Sequence, residues 1–224
     1  MNVVYNADCM EIMRQYPDGY FDLAVVDPVY GGVRKGGYMN GTGGGLAKQN
    51  DYHAAIWQQE KTSPEYFKEL FRVSKNQIIW GGNYFVEEIA RNSPCWLVWN
   101  KDHPEGVNYA DCELAWTSFT CSARLLTYRW NGFVQQNMKN REMRIHPTQK
   151  PTDLYRWIYR KFNIQPGTKV LDTHLGSGTN RRAAFDFGLD FVGCELDKTY
   201  FDLQEQAFEE YTSQISLFDR RNKT

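Results

Sequence analysis

Strands separated by helices along most of the chain predict an α/β fold built on a doubly wound, mostly parallel sheet. Two stretches carry the prediction. Phe21-Asp22-Leu23-Ala24-Val25-Val26 is an apolar, β-branched run that stops at Asp27-Pro28 and passes Val29 and Tyr30 into Gly31-Gly32. That is the pattern of a buried strand delivering residues at its carboxyl end. Farther on, residues 168–172 read as a strand, 173–180 as a glycine-containing turn into a helix ending near Phe187, and 189–194 as a second strand followed by Glu195. This layout is that of a nucleoside-binding unit, with the acid near the roughly 20-residue spacing at which it reaches a ribose hydroxyl. No Gly-Lys-Ser/Thr follows the turn, so a triphosphate loop is not expected.

In chain order, residues 2–5 read as a strand and Met10, Ile12, Met13 and Tyr16 as a helix behind Asp8. Asp8 is either the helix cap, the commoner use of Asp there, or a ligand contact at the helix start. Residues 31–45 hold eight glycines, with Arg34, Lys35 and Lys48 around them; so long a loop reads as a mobile flap beside Asp27. Ser63-Pro64-Glu65 opens a helix with Tyr66, Phe67, Leu70, Phe71 and Val73 on its apolar face. Residues 77–80 form a strand, 84–90 a short helix, and 95–99 and 113–117 two more strands. Residues 124–150 then place Arg124, Arg129, Lys139, Arg141, Arg144, His146 and Lys150 among Tyr128, Trp130 and Phe133, against the single acid Glu142. Such a mixture suits phosphate contact and base stacking, or a solvated basic face. Residues 151–162 form a helix carrying Leu154, Trp157, Ile158 and Phe162, ahead of the second unit.

A chain of 224 residues with 42% hydrophobic side chains fits one domain. The 26 basic and 27 acidic residues give a net charge of −1, so any nucleic-acid affinity must come from clustering. The five cysteines, Cys9, Cys95, Cys112, Cys121 and Cys194, form no CxxC pair, which argues against a disulfide framework or a metal site. They read as reduced thiols of a cytoplasmic protein, and no apolar run reaches the roughly 18 residues of a membrane span.

The chemistry gathers at Asp27. A carboxylate accepts from an amino group, and Pro28 offers only a carbonyl, held in one direction by its fixed φ. Tyr30 adds an aromatic plane, and base stacking on such a plane is worth about 1–3 kcal/mol. Together they describe a slot for an exocyclic amine on a planar ring; the same residues also suit a strand capped by a turn.

The motifs together resemble the DNA amino-methyltransferases that use S-adenosylmethionine, in the circularly permuted order with the catalytic half first. Asp27-Pro28-Val29-Tyr30 resembles the family's Asp-Pro-Pro-Tyr, and His146-Pro147-Thr148-Gln149-Lys150-Pro151 matches its His-Pro-Thr-Gln-Lys-Pro. Asp172 with Gly176-Ser177-Gly178-Thr179 is similar to its Asp-Pro-Phe-x-Gly-Ser-Gly-Thr, and Ile79-Trp80-Gly81-Gly82-Asn83-Tyr84-Phe85 looks most like phage or prophage members. The resemblance implies a Rossmann-like methyltransferase fold with a seven-stranded type of sheet. One domain would span 1–224, with a catalytic half to about 145, a cofactor half over 146–210 and a tail from 211.

By the same resemblance, Asp27 and Pro28 bind the target amino group and Tyr30 stacks on a flipped base. Asp8 and Cys9 would meet the cofactor's adenine, Lys150 its carboxylate and Glu195 its ribose. Asp27, Asp172, Gly176, Ser177, Gly178, Thr179 and Asn180 complete the implied cofactor site. The implied DNA contacts are Arg34, Lys35, Arg124, Arg129, Lys139, Arg141, Arg144 and His146. Val29, Thr173 and His174 depart from the family pattern, the last replacing a Phe that packs on the cofactor.

The implied reaction is methyl transfer to N6 of adenine in double-stranded DNA. An acidic first residue of the tetrad resembles adenine enzymes, and the runner-up is cytosine N4. A catalytically weak DNA- or cofactor-binding relative is the alternative from another class. A Pro-Cys nucleophile of the cytosine-C5 type is set aside, because Pro94-Cys95 opens an apolar strand. A homodimer is a candidate assembly. Gln214-Ile215-Ser216-Leu217-Phe218 resembles a peptide that docks on the replication sliding clamp, although packing of Leu217 and Phe218 on the core is the preferred reading.

Overall fold

The computed structural model describes residues 1–31, 61–104, 110–131 and 134–221, without the side chains of 215–221. The flap expected at 31–45, with Arg34 and Lys35, lies outside the described residues from Gly32 onward.

The strand Phe21–Val26 (β2) is the axis of the structure. Its alternate residues face opposite ways, so Leu23 and Val25 enter one apolar cluster while Ala24 and Val26 enter the other. A strand covered on both faces reads as an unbroken apolar run, which is why it was visible in the sequence. Before it come Asn2–Tyr5 (β1) and the helix Cys9–Met13 (α1). After it come Pro64–Val73 (α2), Ser74–Trp80 (β3), a single 3-10 turn at Gly82–Tyr84 and the short helix Val86–Ile89 (α3). Leu97–Asn100 (β4), Cys112–Thr117 (β5), Arg124–Thr127 (β6) and the small hairpin Trp130–Asn131 (β7) and Val134–Gln135 (β8) lead to Thr152–Lys161 (α4). The second unit is Lys169–Asp172 (β9), Thr179–Asp186 (α5) and Asp190–Cys194 (β10), followed by Lys198–Arg221 (α6).

Eight strands form one sheet in the order β1-β10-β9-β2-β3-β5-β4-β6. Neighbours pair in parallel except at β5, which runs antiparallel to both β3 and β4. The expected seven-stranded type is therefore extended by β6, whose Leu125 and Thr127 are exposed on the outer edge.

From β9 the chain moves through α5 to β10 on one side, and from β2 through α2 to β3 on the other. The order thus reverses between β9 and β2, and their parallel carboxyl ends flank a crevice of the kind where open α/β sheets bind ligands. Helices α1 and α2 contribute Ile12, Met13, Phe67 and Leu70 to one covering layer. Helices α4 and α5 contribute Leu154, Ile158, Ala183 and Ala184 to the other.

Candidate active site

The crevice holds a cavity of about 840 Å³ counting its open mouth, in the size class of small-molecule sites. Its wall joins Asp8 and Cys9 at the start of α1, Asp27 beyond β2, Lys150 ahead of α4, and Glu195 beyond β10. Gly176, Ser177 and Thr179, on the turn between β9 and α5, complete the expected set. Pro28, Tyr30, Asp172, Gly178 and Asn180 do not line it.

Asp172 and Asn180 act behind the wall. One Asp172 oxygen accepts from the His174 backbone N–H at 3.1 Å and the other from Asn180 Nδ2 at 2.9 Å. Asn180 also donates to the Val25 carbonyl at 3.2 Å and accepts from the Tyr159 hydroxyl at 2.5 Å. This buried set ties the end of β9 to the end of β2. Burial raises the Asp172 carboxyl to about 7.

The turn needs its glycines. Gly176 has φ +53° and Gly178 has φ +69°, in the left-handed region that L side chains rarely adopt. A Cβ on Gly176 would also come 3.4 Å from His146 Nδ1. The Gly176 N–H donates to Glu195 Oε2 at 2.8 Å, and Asp197 N–H donates to Glu195 Oε1 at 2.9 Å, so the acid at the end of β10 braces the turn. Asp8 Oδ1 caps α1 by accepting from Met10 N–H at 2.7 Å, and the residue also lines the cavity.

At Asp27 the electrostatics are concentrated. Lys150 Nζ lies 2.5 Å from Asp27 Oδ2 and 3.1 Å from Glu113 Oε2, while Lys101 reaches Glu113 Oε1 at 2.6 Å. Burial raises the Asp27 carboxyl, Lys150 works against that rise, and Glu113 adds to it. Burial also opposes the charge on Glu113, but Lys150 and Lys101 outweigh it and hold that carboxyl at about 2. Desolvation likewise opposes the Lys150 ammonium, and the two carboxylates outweigh it. Asp27 Oδ1 remains buried without a hydrogen-bond partner among the described residues.

Sequence reasoning missed Glu113. It sits on β5, where nothing in the local pattern marks it, and only the β3-β5 pairing carries it to Lys150. His146, expected among the DNA-facing cations, is 5% exposed and lines the cavity beside Gly176, packed edge-on against Tyr200. Burial lowers its pKa to about 4, so it is a neutral wall residue and not a surface cation. His174 is held near 4 by burial as well; its ring packs edge-on against Tyr66 at 5.4 Å and shares a 2.9 Å contact with Thr173 Oγ1. The departure from Phe thus keeps a neutral ring in the cavity wall.

With this geometry in place, the model of the N6/N4 DNA methylase family matches residues 90–206. The chain belongs to that family. The Type II methyltransferase M.HinfI of Haemophilus influenzae is 24% identical, over 94% of this methylase and 69% of its own length. M2.MboI of Moraxella bovis is 21% identical, over 93% and 88%. Among solved structures, the M1.HpyAVI–SAM complex superposes with a TM-score of 0.58 at 19% identity, covering 92% of this chain and all of that one. TTHA0409 of Thermus thermophilus, complexed with S-adenosyl-L-methionine, gives 0.60 at 18%, covering 94% and 96%. The cytosine-N4-specific PvuII methyltransferase gives 0.60 at 13%, covering 95% and 91%. Structural neighbours this distant speak for the fold.

Of the methylase's expected DNA contacts, Lys139 and Arg141 are exposed on the segment after β8. Arg129 is exposed but paired with Asp102, Arg124 is half-buried on β6, and Arg144 lies over the Trp130 ring at 4.6 Å. Trp130 is 5% exposed, and Tyr128 is half-buried with its hydroxyl donating to Asp153, so these aromatics pack inward and do not present faces to bases. Glu142, the lone acid of the stretch, binds Thr152 N at 3.0 Å and Thr152 Oγ1 at 2.7 Å, at the first residue of α4.

Proposed function

We propose that this DNA methylase transfers a methyl group from S-adenosyl-L-methionine to the N6 amino group of an adenine turned out of double-stranded DNA. The supporting observation is Asp27, whose Oδ2 is held by Lys150 while its buried Oδ1 lacks a partner among the described residues, on a wall shared with the Gly176 turn. A buried acceptor without a donor carries a penalty of about 1–3 kcal/mol that an incoming N–H relieves. An amine has two hydrogens, and the Pro28 carbonyl is the second acceptor in this reading.

The cavity suits the cofactor by its donor set. Asp8 and Glu195 are acceptors for amino and hydroxyl hydrogens, the bare Gly176 leaves space against the wall, and the neutral His174 ring offers an apolar face. Asp8, Cys9, Gly176, Ser177, Thr179 and Glu195 are the residues assigned to hold it, with Asp172 and Asn180 fixing the turn. When bound, the cofactor supplies an electrophilic methyl group on a sulfonium. Asp27 and Pro28 do the remaining work by orientation and electrostatics. By drawing both amine hydrogens they favour a pyramidal nitrogen whose lone pair is released from the ring. Lys150 holds the Asp27 carboxylate in position and is also the proposed partner of a cofactor carboxylate.

The test is methylation of unmodified DNA with labelled cofactor, followed by nucleoside analysis. N6-methyladenine is expected, and an Asp27→Ala protein should lose at least about 100-fold in rate, the lower end of what a positioned polar group contributes. N4-methylcytosine would overturn the choice of base, and an undiminished Asp27→Ala rate would overturn the site. Phosphate contact by Lys139 and Arg141, self-association, and clamp docking through the tail are separate proposals. For the last, a clamp pull-down unaffected by deleting residues after Tyr211 would dispose of it.

A further inference from the structure

The structure assigns His174 as a hydrogen-bond donor to a ring nitrogen of the cofactor's adenine, with Tyr66 and Thr173 as positioning residues that fix which imidazole nitrogen carries the proton. His174 follows β9, and its backbone N–H donates to Asp172 Oδ1 at 3.1 Å. Its side chain lines the cavity. Behind that wall the Tyr66 hydroxyl, from α2, lies 2.6 Å from Thr173 Oγ1, and Thr173 Oγ1 lies 2.9 Å from His174 Nδ1. Tyr66 is 2% exposed and Thr173 3%, so neither hydroxyl can turn to bulk water.

The relay has one direction that uses every hydrogen. Tyr66 and Thr173 each carry a single hydroxyl hydrogen. When the Tyr66 O–H donates to Thr173 and the Thr173 O–H donates to His174 Nδ1, both have acceptors. Were Nδ1 to hold the proton and donate to Thr173, one of the two hydroxyl hydrogens would stay buried without an acceptor among the described residues, a state that native interiors avoid. Burial keeps the ring neutral, so with Nδ1 accepting, the ring proton sits on Nε2. That N–H has no hydrogen-bond partner among the described residues and is not closed in by them. Asp8 stands close enough for its charge to act on the ring, and its Oδ1 is used by the α1 cap, which leaves Oδ2 for a ligand. A carboxylate acceptor beside an N–H donor complements an adenine edge, where the exocyclic amine adjoins a ring nitrogen. A phenyl ring at 174 would offer the same flat surface without the donor, and a proline at 173 would have no hydroxyl to orient it. The two departures from the family pattern are therefore one device.

This inference rests on the proposed seat of the cofactor in this cavity, and the two are separable by experiment. Calorimetry measures binding of S-adenosylhomocysteine, the demethylated cofactor, and of its analogues in which one adenine ring nitrogen at a time is replaced by C–H. The proteins are wild type, His174→Phe and Glu195→Ala, and NMR of the imidazole nitrogens in labelled wild type and Thr173→Val reads the tautomer. Loss of one neutral hydrogen bond predicts about a 3–10-fold weaker Kd in His174→Phe. One analogue should bind wild type more weakly by the same factor and lose nothing further in His174→Phe. The wild-type ring should carry its proton on Nε2, and Thr173→Val should show a mixture of tautomers. Undiminished affinity in His174→Phe, a loss there that persists with every analogue, or a wild-type proton on Nδ1 would overturn the inference while leaving the cavity to the cofactor. A pure Nε2 tautomer in Thr173→Val would overturn the positioning role. A Glu195→Ala protein with wild-type affinity would instead overturn the placement of the cofactor.

Discussion

Replacing Lys150 by Met keeps an unbranched side chain of similar length and removes the ammonium, its charge and its hydrogen bond to Asp27 together. Lys150 is 4% exposed and lies between Asp27 and Glu113. Glu113 retains Lys101 at 2.6 Å, so the burden falls on Asp27. Removing one member of a buried pair costs about 3–5 kcal/mol, because the other charge is left uncompensated. Protonation sets a ceiling on that cost: starting from an ordinary carboxyl at 3.8, neutralising Asp27 costs about 1.4 kcal/mol per pH unit above that value. The ceiling is therefore about 4 kcal/mol at pH 7 and about 1.6 kcal/mol at pH 5. In the sign convention of linkage, a folded variant with neutral Asp27 binds one more proton than its unfolded chain, so its stability rises as pH falls. Urea unfolding at pH 7 and pH 5 should show the deficit against wild type shrinking by about 2.7 kcal/mol on acidification. A deficit below about 1 kcal/mol at pH 7, or one independent of pH, would refute the charge network as described.

Three further outcomes are expected. Glu142→Ala removes two bonds to Thr152 at the start of α4 and should lower stability by about 1–2 kcal/mol, read as a reduced urea midpoint with unchanged slope. Glu113→Gln deletes a charge that raises the Asp27 pKa; the acidic limb of the kcat/KM profile should therefore move to lower pH, and a limb that stays put would contradict the coupling. His174 is depressed from 6.5 to about 4 by burial, so the unfolded chain binds its proton first and stability is lost as pH falls through that window. Against wild type, His174→Phe should gain about 3 kcal/mol between pH 7 and pH 4, measured by denaturant titration.

What the sequence disclosed follows from locality. The run Phe21–Val26 is legible because both of its faces are buried, and the turn from Gly176 is legible because left-handed backbone selects glycine. Asp8, Asp27 and Glu195 sit at element ends, where polar residues beside apolar runs stand out. The Lys150–Asp27 contact joins residues 123 apart, and its third member arrives on the antiparallel β5, so no spacing could announce it. His146 and Trp130 look like nucleic-acid residues by composition, yet burial decides their roles. Helix α6 was also hard to foresee, since the buried stripe that starts at Tyr200 continues through Gln204, which is fully buried and bonded to Arg181 at 2.9 Å. A glutamine at that place interrupts the apolar period.

The pairing of β1 with β10, Asn2 opposite Phe191, sets a clock on the birth of the enzyme. At roughly 5–20 residues per second a ribosome delivers β10 some 10–40 s after β1. Until β10 arrives, β1 has no partner in the sheet, and the cavity wall that sets Asp8 near Glu195 is incomplete. During that interval β1 and β9 each present a strand border that the finished sheet pairs with β10.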